Sequence, residues 1–123
     1  MANILIIDDE PNIRLMLRRL LEPEGYTIIE ASNGFEGVKL YHENEVDLII
    51  TDLIMPDKEG LETINELKKE SPGIKIIAMS GGGTGRTGCH LDTAKLLGAD
   101  ATFEKPFARK ELVKAIGELI ESG

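Results

Sequence analysis

Five side chains in this sequence of 123 residues stand where an apolar run gives way to polar residues, and their types belong together chemically. Asp8 and Asp9 follow NILII, Asp52 closes VDLIITD, Ser80 closes IKIIAMS and Lys105 follows DATFE. Three carboxylates drawn to one place repel one another and raise at least one pKa unless a cation neutralises them. Such a set suits a hard divalent metal. Mg2+ takes oxygen ligands, is held by one or two carboxylates plus waters, and keeps positions for phosphate oxygens; Mn2+ accepts the same donors. Lys105 adds a positive point charge and Ser80 a hydroxyl donor. Carboxylate nucleophile, metal, ammonium and hydroxyl together make a site for phosphoryl transfer, where positioning and charge neutralisation do most of the catalysis. The chemistry expected of the set is phosphorylation of an aspartate.

For these residues to meet, the apolar runs must lie side by side and point the same way. Runs 3–8, 26–31, 46–52 and 74–80 read as strands, and 100–104, where Phe103 is the only large apolar residue, as a weaker fifth. Ile13, Met16, Leu17, Leu20 and Leu21 fall at i, i+3, i+4, i+7 and i+8, one face of a helix that Pro11 opens and Pro23 to Gly25 ends. Phe35, Val38 and Tyr41 mark a second helix after the Asn33-Gly34 turn. Leu61, Ile64 and Leu67 mark a third, Leu91, Ala94 and Leu97 a fourth, and Leu112, Val113, Ile116, Leu119 and Ile120 a fifth. The order is βα five times over. The first, third and fourth strands are continuous Ile/Leu runs, as strands covered by helices on both faces require, so a doubly wound parallel α/β sheet is expected. In such a sheet ligands bind outside the carboxyl ends of the strands, where the five residues stand. The second strand offers only Ala31 and Ser32 there.

Composition narrows the classes further. With 22 acidic against 14 basic residues the formal charge is −8, which speaks against binding nucleic acid phosphates, and 41% hydrophobic residues suffice for a core. One domain filling 1–123 is expected, with no linker and no output domain. The single Cys89 excludes an intrachain disulfide and a cysteine zinc cluster. The N-terminus lacks the basic and long apolar regions of a signal peptide, and no stretch reaches the ~20 apolar residues of a membrane span. A cytoplasmic location without membrane insertion is the expectation. Gly83, Gly85 and Gly88 match the spacing of a dinucleotide loop but follow the fourth strand, so a flexible connector is the better reading. His42 and His90 lack ligand spacing and read as surface residues. Cys89 reads as a small buried hydrophobe, and Glu66, Lys68, Lys69 and Glu70 as a solvated helix face.

Four motifs, ILIIDDE, DLIITDLIMPDKEG, IIAMSG and GADATFEKPF, occur in order and correctly spaced on the five βα units. Over its whole length the sequence thereby resembles a receiver domain of the bacterial two-component response regulators. The resemblance implies a flavodoxin-like fold with strand order 2-1-3-4-5 and a signalling module, not an enzyme, that promotes its own phosphorylation and dephosphorylation. By resemblance Asp52 is the phospho-acceptor. Asp9 is a direct magnesium ligand, Asp8 one acting largely through water, and the Ile54 carbonyl a backbone ligand. Ser80 and Gly81 bind the phosphoryl group, Lys105 pairs with it, and Pro106 follows a cis peptide bond. A sensor histidine kinase or histidine phosphotransfer protein is implied upstream. Downstream stands an effector protein or output domain, with a phosphorylation-dependent dimer left open.

Two features depart from that pattern. The switch aromatic, usually three residues before the lysine, is Thr102, and Phe103 stands one place later. The segment SGGGTGRTGCHLDTA is glycine-rich and longer than usual, and is expected to be mobile before phosphorylation. Two other functions use similar parts. A haloacid-dehalogenase-type phosphatase also needs an Asp nucleophile, magnesium, Ser/Thr and Lys, but its Asp-x-Asp is Asp8-Asp9-Glu10 here. A non-phosphorylated scaffold of receiver fold need not keep the acidic set.

Overall fold

The computed structural model describes residues 2–53, 60–81, 87–105 and 107–122, with the main chain alone at 81, 87–91 and 122. Five strands, β1 (Asn3–Ile7), β2 (Thr27–Ala31), β3 (Leu48–Asp52), β4 (Lys75–Gly81) and β5 (Ala101–Lys105), form one parallel sheet in the order β2-β1-β3-β4-β5. Between and after them run α1 (Pro11–Leu21), α2 (Gly34–Glu43), α3 (Gly60–Glu70), α4 (Thr87–Leu97) and α5 (Arg109–Ser122). The expected flavodoxin-like topology is present. Among the described residues no helix is long and apolar enough to cross a membrane.

Alternation along the central strands divides the core in two. Leu5, Ile7, Ile49, Ile76 and Ala78 face Leu53, Ile64, Leu67 and Ala94, under α2, α3 and α4. Ile4, Ile6, Leu48, Ile50, Ile77 and Met79 face Leu17, Leu21, Leu112 and Ile116 of α1 and α5. Each fully buried Leu or Ile contributes roughly 1.5–3 kcal/mol relative to exposure. Every residue of β3 is buried, whereas the edge strands β2 and β5 each keep an exposed residue. The edge position explains why 100–104 carries so little apolar signal.

Local chemistry sets the boundaries. Pro11 occupies the first turn of α1, where a missing N–H costs nothing. The helix ends at Leu21, and a 3-10 turn over Glu22–Glu24 leads to Gly25 at φ +97. Asn33 caps α2, its side chain accepting the Glu36 N–H at 2.8 Å. Asp8 lies just beyond β1 and not within it; its N–H still reaches Ala31 O at 3.1 Å, so its side chain leaves the pleat at the sheet's edge. Phe35 lies in the first turn of α2 but is 61% exposed and lies outside both clusters.

The leading edge of the sheet is tied by carboxylates. Asp47 Oδ2 accepts the Asn3 N–H at 2.7 Å and Asp100 Oδ2 the Ile76 N–H at 2.8 Å. Asp47 N and Asp100 N return bonds to Asn3 O and Ile76 O. Lys68 therefore departs from the expected solvated face. Its ammonium meets Asp100 Oδ2 at 3.2 Å and its stem lies against Gly98, leaving the side chain 15% exposed. His42, at the surface as expected, pairs with Glu70 at 2.6 Å.

Gly60 opens α3 with its N–H on Leu53 O at 2.9 Å, and a Cβ there would lie 2.0 Å from Asp52 O and 2.7 Å from Leu53 Cα. Backbone cannot yield as a flexible side chain does. Gly117, inside α5, has no atom within 4 Å of such a Cβ. Gly60→Ala is expected to cost about 2 kcal/mol or more, whereas Gly117→Ala adds up to about 1 kcal/mol of helix stability. Urea melts of the two variants check both signs.

Candidate functional site

The parallel sheet delivers its acids to one edge. Asp52 is the last residue of β3, and Asp8 and Asp9 follow β1, its neighbour in the sheet. A carboxylate oxygen from each of Asp8, Asp9 and Asp52 lies within 4.8 Å of the others, with Asp8 and Asp52 buried and Asp9 exposed. Lys105, ending β5, crosses the edge to place Nζ 3.0 Å from Asp8 Oδ2 and 3.5 Å from Asp52 Oδ1. Asp8 Oδ1 accepts the Glu10 N–H at 2.9 Å, and Asp52 Oδ1 the Leu53 N–H at 3.1 Å. Ser80, the last residue but one of the neighbouring strand β4, is fully buried, and its hydroxyl is the one buried side-chain polar atom among the described residues that has no hydrogen-bond partner.

Three carboxylates and one ammonium leave the edge with an excess of negative charge. Burial pushes the Asp52 carboxyl up to about 6. Lys105 pulls the other way, Asp8 and Asp9 push it up further, and the Leu53 N–H opposes them. Burial works against the charge of Lys105, but its bond to Asp8 and the charges of Asp8, Asp52 and Glu10 outweigh it and hold the ammonium above the ordinary lysine range. Lys105 thus answers mainly to Asp8 and leaves Asp52 under-neutralised. A divalent cation suits that deficit, and the clustered oxygens are the hard donors that Mg2+ takes.

The structure brings together Asp8, Asp9, Asp52 and Lys105, and sets Ser80 and Gly81 at the end of β4, Gly81 in register with Lys105. The readings on Ile54, on the peptide bond before Pro106 and on the loop through Gly83 and Gly85 lie outside the described residues, as do those on the side chains of Cys89 and His90. Thr102 pairs with Ala78, a residue of the core under α2, α3 and α4. Phe103 pairs with Met79 and packs in the core under α1 and α5, its ring edge-on to Phe107 at 6.4 Å. The aromatic bulk of β5 therefore lies across the sheet from the position of Thr102.

Sequence reasoning missed Arg14. Its Nη1 donates to Asp8 O at 2.7 Å and its Nε to Glu30 Oε1 at 3.1 Å. The signal lay in its place, a cation in the first turn of α1, where the helix dipole disfavours positive charge unless an acceptor stands nearby.

Comparison with known proteins bears on the whole chain. Residues 4–117 match the family model of the response regulator receiver domain. The chain is 33% identical to the chemotaxis protein CheY of Halobacterium salinarum, over 95% of this chain and 95% of that one. It is 35% identical to the sensor kinase CckA of Brucella abortus over 98% of its own length, but spans only 13% of that protein. The structure superposes with a TM-score of 0.91 on a response regulator receiver domain protein from Clostridium thermocellum, with 33% identity and coverage of 99% of this chain and 96% of that one. It superposes at 0.85 on the response regulator TrrA of Thermotoga maritima, solved in complex with Mg2+-BeF, with 36% identity over 97% of this chain and 99% of that one. Fold, acidic edge and sequence agree: the chain belongs to the response regulator receiver domains of two-component signalling.

Proposed function

We propose that Asp52 accepts a phosphoryl group from a histidine kinase or histidine phosphotransfer protein in the cytoplasm, and that the modified edge changes which effector protein or output domain the module binds. The observation that carries this reading is the cluster of Asp8, Asp9 and Asp52 faced by Lys105. An Asp52 oxygen supplies the electron pair for the new O–P bond as the N–P bond to the donor imidazole breaks, and the imidazole leaves with a proton from water. With its carboxyl near 6, Asp52 is mostly ionised at pH 7.5 and so available as nucleophile.

Mg2+, held by Asp9, Asp52 and the Ile54 carbonyl, and by Asp8 through water, would neutralise charge on the reacting oxygens. Asp8 suits the indirect role because Glu10 N–H and Lys105 already engage its two oxygens, whereas Asp9 is exposed. Lys105 stands 3.5 Å from Asp52 and can pair with a phosphoryl oxygen there. Ser80 offers a buried hydroxyl whose hydrogen-bonding capacity a phosphoryl oxygen would satisfy, with the main chain of Gly81 beside it. Phosphorylation adds about −1.5 to −2 charges to this edge, enough to shift a two-state surface. A ring swinging at position 102 has no part in the change.

Intact mass after incubation with acetyl phosphate and Mg2+ tests the chemistry. A gain of one phosphoryl group is expected, absent in Asp52→Asn and in EDTA. Steady release of phosphate from phosphoesters without an adduct would make the chain a phosphatase. Neither adduct nor turnover, with a phosphohistidine donor tried as well, would make it a scaffold.

The charge deficit predicts a pH signature. Because the folded carboxyl of Asp52 sits near 6 against 3.8 for the ordinary group, ionisation opposes folding, and the contribution of Asp52 to stability falls as pH rises from about 4 to about 6. Asp52→Asn removes that penalty, an upper bound of about 3 kcal/mol at pH 7.5 that vanishes toward pH 4. Thermal melts in EDTA at the two pH values should show the variant's advantage only at the higher one. Mg2+ should narrow it by stabilising the wild type more than the variant.

A further inference from the structure

Arg14 occupies the first turn of α1, and a side chain there leans back toward the helix N-terminus. That direction carries its guanidinium over the end of β1. Nη1 donates to the carbonyl of Asp8 at 2.7 Å, and Nε to Glu30 Oε1 at 3.1 Å, with the Arg14 side chain 18% exposed. Glu30, on the edge strand β2, is gripped on its other oxygen by Arg18 Nε at 2.7 Å, and Arg18 also bonds Glu22 at 2.7 Å. Burial would raise the Glu30 carboxyl, but Arg18 and Arg14 hold it below the usual range.

The atom that Arg14 grips matters. Asp8 O belongs to the planar peptide unit joining Asp8 to Asp9, so fixing its direction fixes how the chain leaves Asp8 and where the Asp9 carboxylate begins. Asp8 itself is also held through its N–H on Ala31 O, through Oδ1 on Glu10 N–H and through Oδ2 on Lys105. Asp9 is the exposed member of the cluster and depends on the peptide before it for its placement. We propose that Arg14, oriented by Glu30, is a positioning residue that sets the Asp8–Asp9 peptide and with it the affinity of the acidic edge for a divalent cation. This rests on the reading of Asp8, Asp9 and Asp52 as the metal-binding set.

Arg18 provides the contrast. It shares Glu30 with Arg14, but its contacts run to Glu22 and the Ile28 carbonyl and none reaches Asp8. A merely structural network would respond alike to loss of either arginine. A positioning role confines the metal effect to Arg14.

The experiment is calorimetric titration of the full chain with Mg2+ for wild type, Arg14→Met, Arg18→Met and Glu30→Gln, with urea melts and acetyl phosphate labelling of each. Removing a partner that orients metal ligands typically weakens binding about 10- to 100-fold. Arg14→Met is expected near the lower end, about 10-fold, with a labelling rate at saturating Mg2+ within about two-fold of wild type. Arg18→Met is expected to lose stability while binding Mg2+ as wild type does. Glu30→Gln keeps an acceptor for Arg14 but loses charge, and should fall between; it carries the test if Arg14→Met does not fold. Unchanged Mg2+ affinity in Arg14→Met, or an equal loss in Arg18→Met, overturns the assignment. A wild type that neither binds Mg2+ nor takes up phosphate overturns instead the reading beneath it.

Discussion

One ammonium set against three carboxylates is the interaction on which this molecule turns. Lys105 reaches across the sheet from β5 to Asp8 and Asp52, and it cannot satisfy both while Asp9 stands beside them. A fold selected only for stability would not gather these charges. Like charges at this spacing persist because the rest of the structure is stable enough to hold them, and the deficit they leave suits a divalent cation.

The sheet can hold them because its centre is apolar on both faces. Alternate residues of β1, β3 and β4 feed two separate clusters, one under α2 to α4 and one under α1 and α5, so the strand ends are braced from both sides. Parallel order then puts the carboxyl ends of β1, β3, β4 and β5 on the same edge, which brings residues 8, 52, 80 and 105 to one side of the sheet. Gly60 completes the support, letting the start of α3 lie against the backbone of Asp52 and Leu53 as a side chain would not.

Much of this was legible in the sequence because burial on two faces leaves an unambiguous mark. Continuous Ile/Leu runs located β1, β3 and β4, and the polar residue ending each run marked the site. The edge strand β5 was faint, because a strand covered less completely needs fewer apolar residues and Phe103 alone stood out. Other features were illegible for physical reasons. Hydrogen bonds from a long side chain to a distant carbonyl, such as Arg14 to Asp8, leave no periodic trace. Lys68 looked like any charged residue on a solvated helix, and its bond to Asp100 spans 32 positions of the chain. Phe35 fitted a helical spacing and yet lies outside the core, because periodicity places a residue on a face without saying how far the neighbouring element extends.

The two edges of the sheet differ in kind. At the edge where the strands begin, Asp47 and Asp100 close reciprocal bonds with the main chain of the adjacent strand, joining β3 to β1 and β5 to β4. At the edge where the strands end, the carboxylates oppose one another. The domain is thus anchored at one end and electrostatically loaded at the other, and the phosphoryl group proposed for Asp52 would arrive at the loaded end. That loaded end is also where the start of α3 lies directly against the backbone of Asp52 and Leu53, so under the proposed function the helix beginning at Gly60 would be the element nearest to the added charge.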